Sequence, residues 1–199
     1  MSCLLRAGAA VGLLAALAGC AALGARPAPL DTYELTAPAG GVEARRGGGR
    51  QILVPEPSAL KSLDGQEIVI KPSAGSIEFL KGAQWSDRLP RVVQARLAEA
   101  LQRSGRFGGV GLPGEGLAID YQVIVEIRSF EIEVAGADRA RVGLFVKLLN
   151  DRNGTVRASR LFEAAAPVSG TGNDAFVAAL DRAFNQAAAE IVAWTAGGV

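Results

Sequence analysis

Between Ile119 and Val134 the chain alternates apolar and polar side chains, with one break in phase. Ile119, Tyr121, Val123, Val125 and Ile127 share one parity; after Arg128-Ser129, the apolar residues Phe130, Ile132 and Val134 take the other. Ile124 is the one apolar exception. Period-two alternation is the mark of a strand with one buried face, and a one-residue slip inside it predicts a β-bulge. Ala135-Gly-Ala-Asp138 predicts a turn into a second strand through Val142, Leu144, Val146 and Leu148. Asn153-Gly154 predicts a type I′ hairpin into a third strand near Thr155–Glu163. Three such strands form an antiparallel meander whose apolar face needs a cover.

Two segments with helical spacing can supply it. Leu89, Val93, Leu97, Ala100 and Leu101 recur at three and four. Ser86 or Asp87 is the expected N-cap, Pro90 sits in the first turn, and Gly105 ends the helix. Val177, Leu180, Phe184, Ala187, Ile191 and Trp194 mark a second helix over Asn173–Trp194, with Asn173 or Asp174 as the expected cap. Upstream, Gln51–Pro55, Glu67–Lys71 and Ser76–Leu80 read as short strands, the last two separated by the turn-forming Pro72–Gly75. The expected fold is α+β: a mainly antiparallel sheet, made of the C-terminal three-strand meander plus short N-terminal strands, with two main helices on one face. The expected organisation is a leader over 1–19, a tether over 20–30 and one domain over 31–199.

Composition closes several chemistries. The chain has no histidine and two cysteines. Ser-His-Asp and Cys-His catalysis, histidine-ligated zinc and a four-thiolate site are therefore excluded, and no cofactor is expected. Lys plus Arg number 21 against 20 Asp plus Glu, a balance that lacks the concentrated basic field nucleic-acid binding needs. Gly109-Val-Gly111-Leu-Pro-Gly114 matches G-x-G-x-x-G literally, but a helix precedes it and a strand follows, the reverse of a dinucleotide fingerprint. It reads as a loop. So does the Gly-rich, basic stretch Ala37–Arg50, whose Arg45, Arg46 and Arg50 read as solubilising charge. An enzymatic alternative, a carboxylate-only hydrolase, would draw on Asp120, Glu126, Glu131 or Glu133. Glu131 and Glu133 fall on one strand face, expected to be solvent-exposed, where an acidic pair is ordinary.

Both cysteines lie in the first 20 residues. Arg6 opens a short n-region, an apolar run follows from Ala7 to Leu17, and Ala18-Gly19 precede Cys20: a secretory signal too short to remain as a membrane span. Leu17-Ala18-Gly19-Cys20 resembles the lipobox of bacterial lipoproteins. That resemblance implies cleavage before Cys20, a diacylglyceryl group on its sulfur and acylation of the new amine. Several acyl chains, each CH₂ contributing about 0.8 kcal/mol, give a durable anchor. Ala21 and Ala22, with no aspartate beside the anchor, resemble the pattern released to the outer membrane, which leaves the domain facing the periplasm.

The run from Phe79 to Phe107, FLKGAQWSDRLPRVVQARLAEALQRSGRF, resembles the ABC-type transport auxiliary lipoproteins, the family of the paraquat-inducible protein C lipoprotein. Ala83, Trp85, Asp87, Leu89, Pro90, Val93, Gln94, Ser104, Gly105 and Phe107 carry it. Tyr33-Glu-Leu35, Ile52–Pro55, Asp120-Tyr121, Ile127–Phe130 and Ile191–Trp194 extend it over nearly the whole mature chain. The resemblance implies a non-catalytic envelope lipoprotein serving an MCE-domain protein and an ABC transporter in intermembrane lipid transport. Partners built as rings add a homo-oligomer to the expectations. Trp85 and Asp87 admit two roles: a hydrophobic staple and a cap at the helix start, or a contact for the transport partner. The alternative binding class is an outer-membrane lipoprotein that activates a peptidoglycan synthase or assists a lipopolysaccharide translocon.

Overall fold

The computed structural model of the chain describes residues 29–38 and 49–199. The expected leader, Cys20, most of the tether, and Arg45 and Arg46 of the Gly-rich stretch lie outside the described residues. The strands are β1 (Asp31–Tyr33), β2 (Gln51–Leu53), β3 (Ser58–Ala59), β4 (Glu67–Ser73), β5 (Ser76–Trp85), β6 (Gly109–Gly111), β7 (Tyr121–Glu133), β8 (Arg139–Asn150) and β9 (Thr155–Pro167). The helices are α1 (Leu89–Arg103) and α2 (Asn173–Gly198), with a 3₁₀ turn at Lys61–Leu63. No helix among the described residues is long and apolar enough to cross a membrane.

Strand β7 is the hub of the nine-stranded sheet. One of its edges pairs antiparallel with β8, which pairs antiparallel with β9. Its other edge takes three short strands end to end, all parallel to it: β2 at Tyr121-Gln122, β3 at Glu126-Ile127 and β4 at Glu131–Glu133. The chain from 51 to 71 is in effect one broken strand, interrupted where Pro55 and Pro57 withhold ladder donors and where the 3₁₀ turn loops out. The β4–β5 pair is antiparallel, whereas β1–β5 and β2–β6 are parallel. The sheet is therefore mixed, which corrects the expectation of a mainly antiparallel one. Parallel pairing needs a long crossover, and the stretch from β5 through α1 supplies it. Alternation within a strand reports which face is buried, not the direction of its neighbour.

The expected bulge is present. Ile127 pairs with Leu144 and Ser129 with Gly143, leaving Arg128 extra; Val125 and Ile127 before it, and Phe130 and Ile132 after it, all point into one core. A second irregularity, in β5, has no counterpart in the alternation of the sequence. Between Glu67/Gln84 and Val69/Phe79 the β4–β5 register slips, and Gly82 adopts φ 75°. This carries β5 past its expected end at Leu80 to Trp85. It also flips the strand: Ile77 and Phe79 face out, while Ala83 and Trp85 face in.

Local corrections follow from turn and cap geometry. The β8–β9 connection is the four-residue loop Asp151–Gly154, closed by the Gly154 amide donating to the Asn150 carbonyl at 2.9 Å. Only Gly154 has positive φ there, so Asn153 does not take the left-handed geometry a type I′ turn demands. The glycine motif contributes β6 rather than a loop alone, because β2 recruits Gly109–Gly111 as a parallel neighbour. The N-cap positions are Arg88 for α1 and Gly172 for α2, neither with a side-chain cap. Instead, the Leu89 amide donates to the Gly65 carbonyl at 2.9 Å, and a neighbouring loop satisfies a donor that a cap would otherwise take. Gly105, at φ 62°, ends α1 as expected. Val93, Leu97 and Leu101 of α1 and Val177, Leu180, Phe184 and Ile191 of α2 share one core with the apolar face of β7, β8 and β9.

Candidate partner-binding site

The segment between β5 and α1 sends Trp85 and Asp87 in opposite directions. Trp85 ends β5 with 0% of its surface exposed. Its ring meets Phe130 edge-on at 5.8 Å between centroids, and Phe130 lies 6.3 Å from Phe184. The backbone here is tied on both sides. Trp85 N–H donates to the Gln66 carbonyl at 2.8 Å, Ser86 N–H donates to the Tyr33 carbonyl at 2.8 Å, and the Gln66 side-chain Nε2 donates to the Trp85 carbonyl at 3.3 Å. Two residues on, Asp87 is half-exposed; its carboxylate accepts from the Arg88 amide at 2.7 Å and lies 3.6 Å from Arg91.

Asp87 belongs to a surface cluster of alternating charge. Arg88 donates to Glu56 at 2.8 Å and also to Asp64, and Arg91 reaches Glu56 at 3.6 Å. The hydrogen bond to Asp64 holds the Arg88 guanidinium above its ordinary range, so it remains cationic. Beside the cluster lies a hollow of about 470 Å³ walled by Lys61, Asp64, Gln66, Glu67, Phe79 and Arg88. The sequence pattern pointed to Trp85 and Asp87 but gave no signal for Glu56, Asp64 or Phe79. Glu56 reaches the site through the β2–β3 connection, Asp64 through the β3–β4 loop and Phe79 through the β5 bulge.

Of the four carboxylates of the enzymatic alternative, only Glu131 and Glu133 share a groove; Asp120 and Glu126 lie elsewhere along the chain. Asp120 precedes β7 and Glu133 ends it, about 40 Å apart along a 13-residue strand. Asp120 accepts from the Gln51 amide at 3.0 Å and from Arg152 at 2.7 Å, which keep it below the usual carboxylate range. Glu126 pairs with Arg128 at 3.0 Å. Glu131 corrects the sequence expectation: it is 7% exposed, not on an open face, because β4 and β8 flank it on both sides. Burial pushes its carboxyl up, and Lys71 at 3.6 Å only partly offsets this. Glu133 is bound by Arg139 at 2.6 Å and Arg141 at 3.5 Å, and is held low by the Arg139 hydrogen bond. The two line a mixed-charge groove of about 740 Å³, where Arg139 and Arg141 engage both oxygens of Glu133 and keep it in its ionised form. Among the described residues, no three His, Cys, Asp or Glu side chains gather as metal ligands.

The family description for ABC-type transport auxiliary lipoprotein components matches residues 33–192, from β1 to the last turns of α2. The chain belongs to this family. A crystal structure of protein XCC0632 from Xanthomonas campestris is similar, with a TM-score of 0.76 and 29% identity over 84% of this chain and 95% of that one. The hypothetical protein CT253 from Chlamydia trachomatis shares the fold, with a TM-score of 0.53 and 12% identity over 75% of this chain and 97% of that one. The chain is also 33% identical over 175 residues to protein bll6063 of Bradyrhizobium diazoefficiens, covering 86% of itself and 46% of that protein. It thus spans about half the length of that relative.

Proposed function

We propose that this auxiliary lipoprotein is a non-catalytic component of an MCE/ABC-type intermembrane lipid transport system, anchored to the outer membrane through acylated Cys20 with its domain in the periplasm. The observation that carries this reading is the family match across 33–192, with the lipobox Leu17–Cys20 directly upstream. Pairing of Asp120, Glu126 and Glu133 with arginines supports a binding role rather than hydrolysis. Within the α1 site, Asp87 and its arginine neighbours offer the surface contact, and Trp85 fixes where that surface stands. Self-association into a ring would match a ring-built partner.

The test is crosslinking in intact cells with a C-terminally tagged full chain, followed by capture and mass spectrometry. Cys20→Ala serves as the anchoring control and Asp87→Lys as the site control. Recovery of an MCE-domain protein or its ABC transporter, reduced several-fold by Asp87→Lys, is the expected result. Recovery of a peptidoglycan synthase or a translocon barrel instead would overturn the transport reading.

A further inference from the structure

The outer face of β5 carries apolar side chains that the core does not use. Ile77 and Phe79 are each about half-exposed, put outside by the Gly82 bulge. Leu60, three-quarters exposed, precedes Lys61, which shares the hollow with Phe79. Leu30 is half-exposed, and the β1 register assigns it to the same side. Tyr33 pairs with Trp85 on the core face, so Thr32, bonded to Gln84, and Leu30 belong to the outer one.

The edge of β5 beyond Ala83 is kept open by the sequence. The Tyr33 carbonyl accepts from Ser86, so the odd-numbered residues of this strand turn their backbone groups toward β5. Extending β1 upstream would require donors from Pro29 and Pro27, which have none. Pairing stops at Asp31–Ala83, and β5 from Ser76 to Leu80 keeps an apolar outer face beside an unpaired edge among the described residues.

That face lies where the chain leaves for its anchor. About ten residues separate Cys20 from Leu30. They span about 35 Å if fully stretched and about 17 Å as a flexible coil. A tether this short, against a domain about 40 Å across, brings the side bearing Leu30 nearest the bilayer. We propose that the face formed by Leu30, Leu60, Ile77 and Phe79 rests on the phospholipid surface that the Cys20 acyl chains enter. The apolar side chains sit at the headgroup boundary, and Lys61 and Lys81 beside them face lipid phosphates. This proposal rests on the lipoprotein reading and adds to it which side of the domain meets the membrane.

The test uses the processed full chain reconstituted into phosphatidylethanolamine–phosphatidylglycerol vesicles with brominated acyl chains. With Cys3 removed and Cys20 acylated, an introduced cysteine is the single free thiol. Bimane is attached at Ile77→Cys or Phe79→Cys, and at Val156→Cys and Ala189→Cys as controls on the far hairpin and on α2. The expected result is brominated-lipid quenching at 77 and 79 about threefold stronger than at 156 and 189. Equal quenching at all four sites, or none at 77 and 79, would overturn the proposal. Shielding at 77 and 79 from an aqueous quencher without quenching by lipid would overturn it too, in favour of a protein contact. Intact mass and flotation report on the anchor separately. An acylated, floating chain with unquenched labels refutes the face alone. A chain with no acyl mass that stays with the soluble fraction refutes the anchor, and the tether argument with it.

Discussion

Trp85 and Asp87 are two residues apart in the chain and are expected to differ several-fold in what they contribute to folding. Trp85 is sealed between β5, Phe130 and the helices, so Trp85→Ala is expected to lose about 3–5 kcal/mol. Asp87→Ala removes a half-exposed i,i+4 ion pair with Arg91 and is expected to lose less than about 1 kcal/mol. Denaturant unfolding of the two variants measures this difference. Equal, small losses would mean that Trp85 is not a core residue. Glu131 gives a pH-dependent prediction. Because burial raises its carboxyl pKa in the folded state, the folded form holds that proton more tightly, and ionising it as pH rises through the folded value costs stability. Glu131→Gln is therefore expected to raise the melting temperature at pH 7.5 and to match the parent at pH 3.5, where both carry a neutral side chain. A lower melting temperature at pH 7.5 would mean that the Lys71 pairing outweighs burial.

Bulges decide how the strands present their faces. At Arg128 the extra residue preserves a continuous apolar face across a phase break in β7, and Gly143 of β8 makes room for it. A Cβ at Gly143 would fall 2.5 Å from the Ser129 Oγ. Gly143→Ala is thus expected to lose about 1–3 kcal/mol through overpacking, and Ser129→Ala in the same chain to restore most of it. A double-mutant cycle measures the coupling; additive losses would show that the crowding lies elsewhere. The first strand shows a different dependence. The Tyr33 hydroxyl donates to Asp174 at 2.6 Å, which lifts it to about 12, and the Thr36 amide and hydroxyl donate to Asp181 at 2.7 and 2.8 Å. These bonds join the start of the domain to α2, about 140 residues later.

One core joins all of this. Trp85 lies by the start of α1, and Trp194 packs edge-on to Phe162 at 5.5 Å near the end of α2; Trp85 is inside the hydrophobic cluster and Trp194 packs against it. Thermal unfolding followed by tryptophan fluorescence and by far-UV circular dichroism should therefore give coincident transitions. Separate midpoints would divide the β1–α1 side from the β9–α2 side.

The sequence by itself determined the elements whose signal is periodic and local. Alternation marked β7 and β8, Asn153-Gly154 marked the turn into β9, a phase slip located the Arg128 bulge, three-four spacing marked both helices, and Gly105 marked the end of α1. The motif from Ala83 to Phe107 carried the family resemblance. What the tertiary structure decided has no local signature. Strands of two or three residues, such as β3 and β6, exist because β7 and β2 offer edges to them. Their parallel direction depends on a crossover, and at α1 a carbonyl from a distant loop stands in for the side-chain cap. Ile77 and Phe79 alternate like core residues yet face outward, because a glycine three residues past Phe79 turns the strand over. Periodicity records that a residue has two possible sides, and only the packed sheet settles which of them is inside.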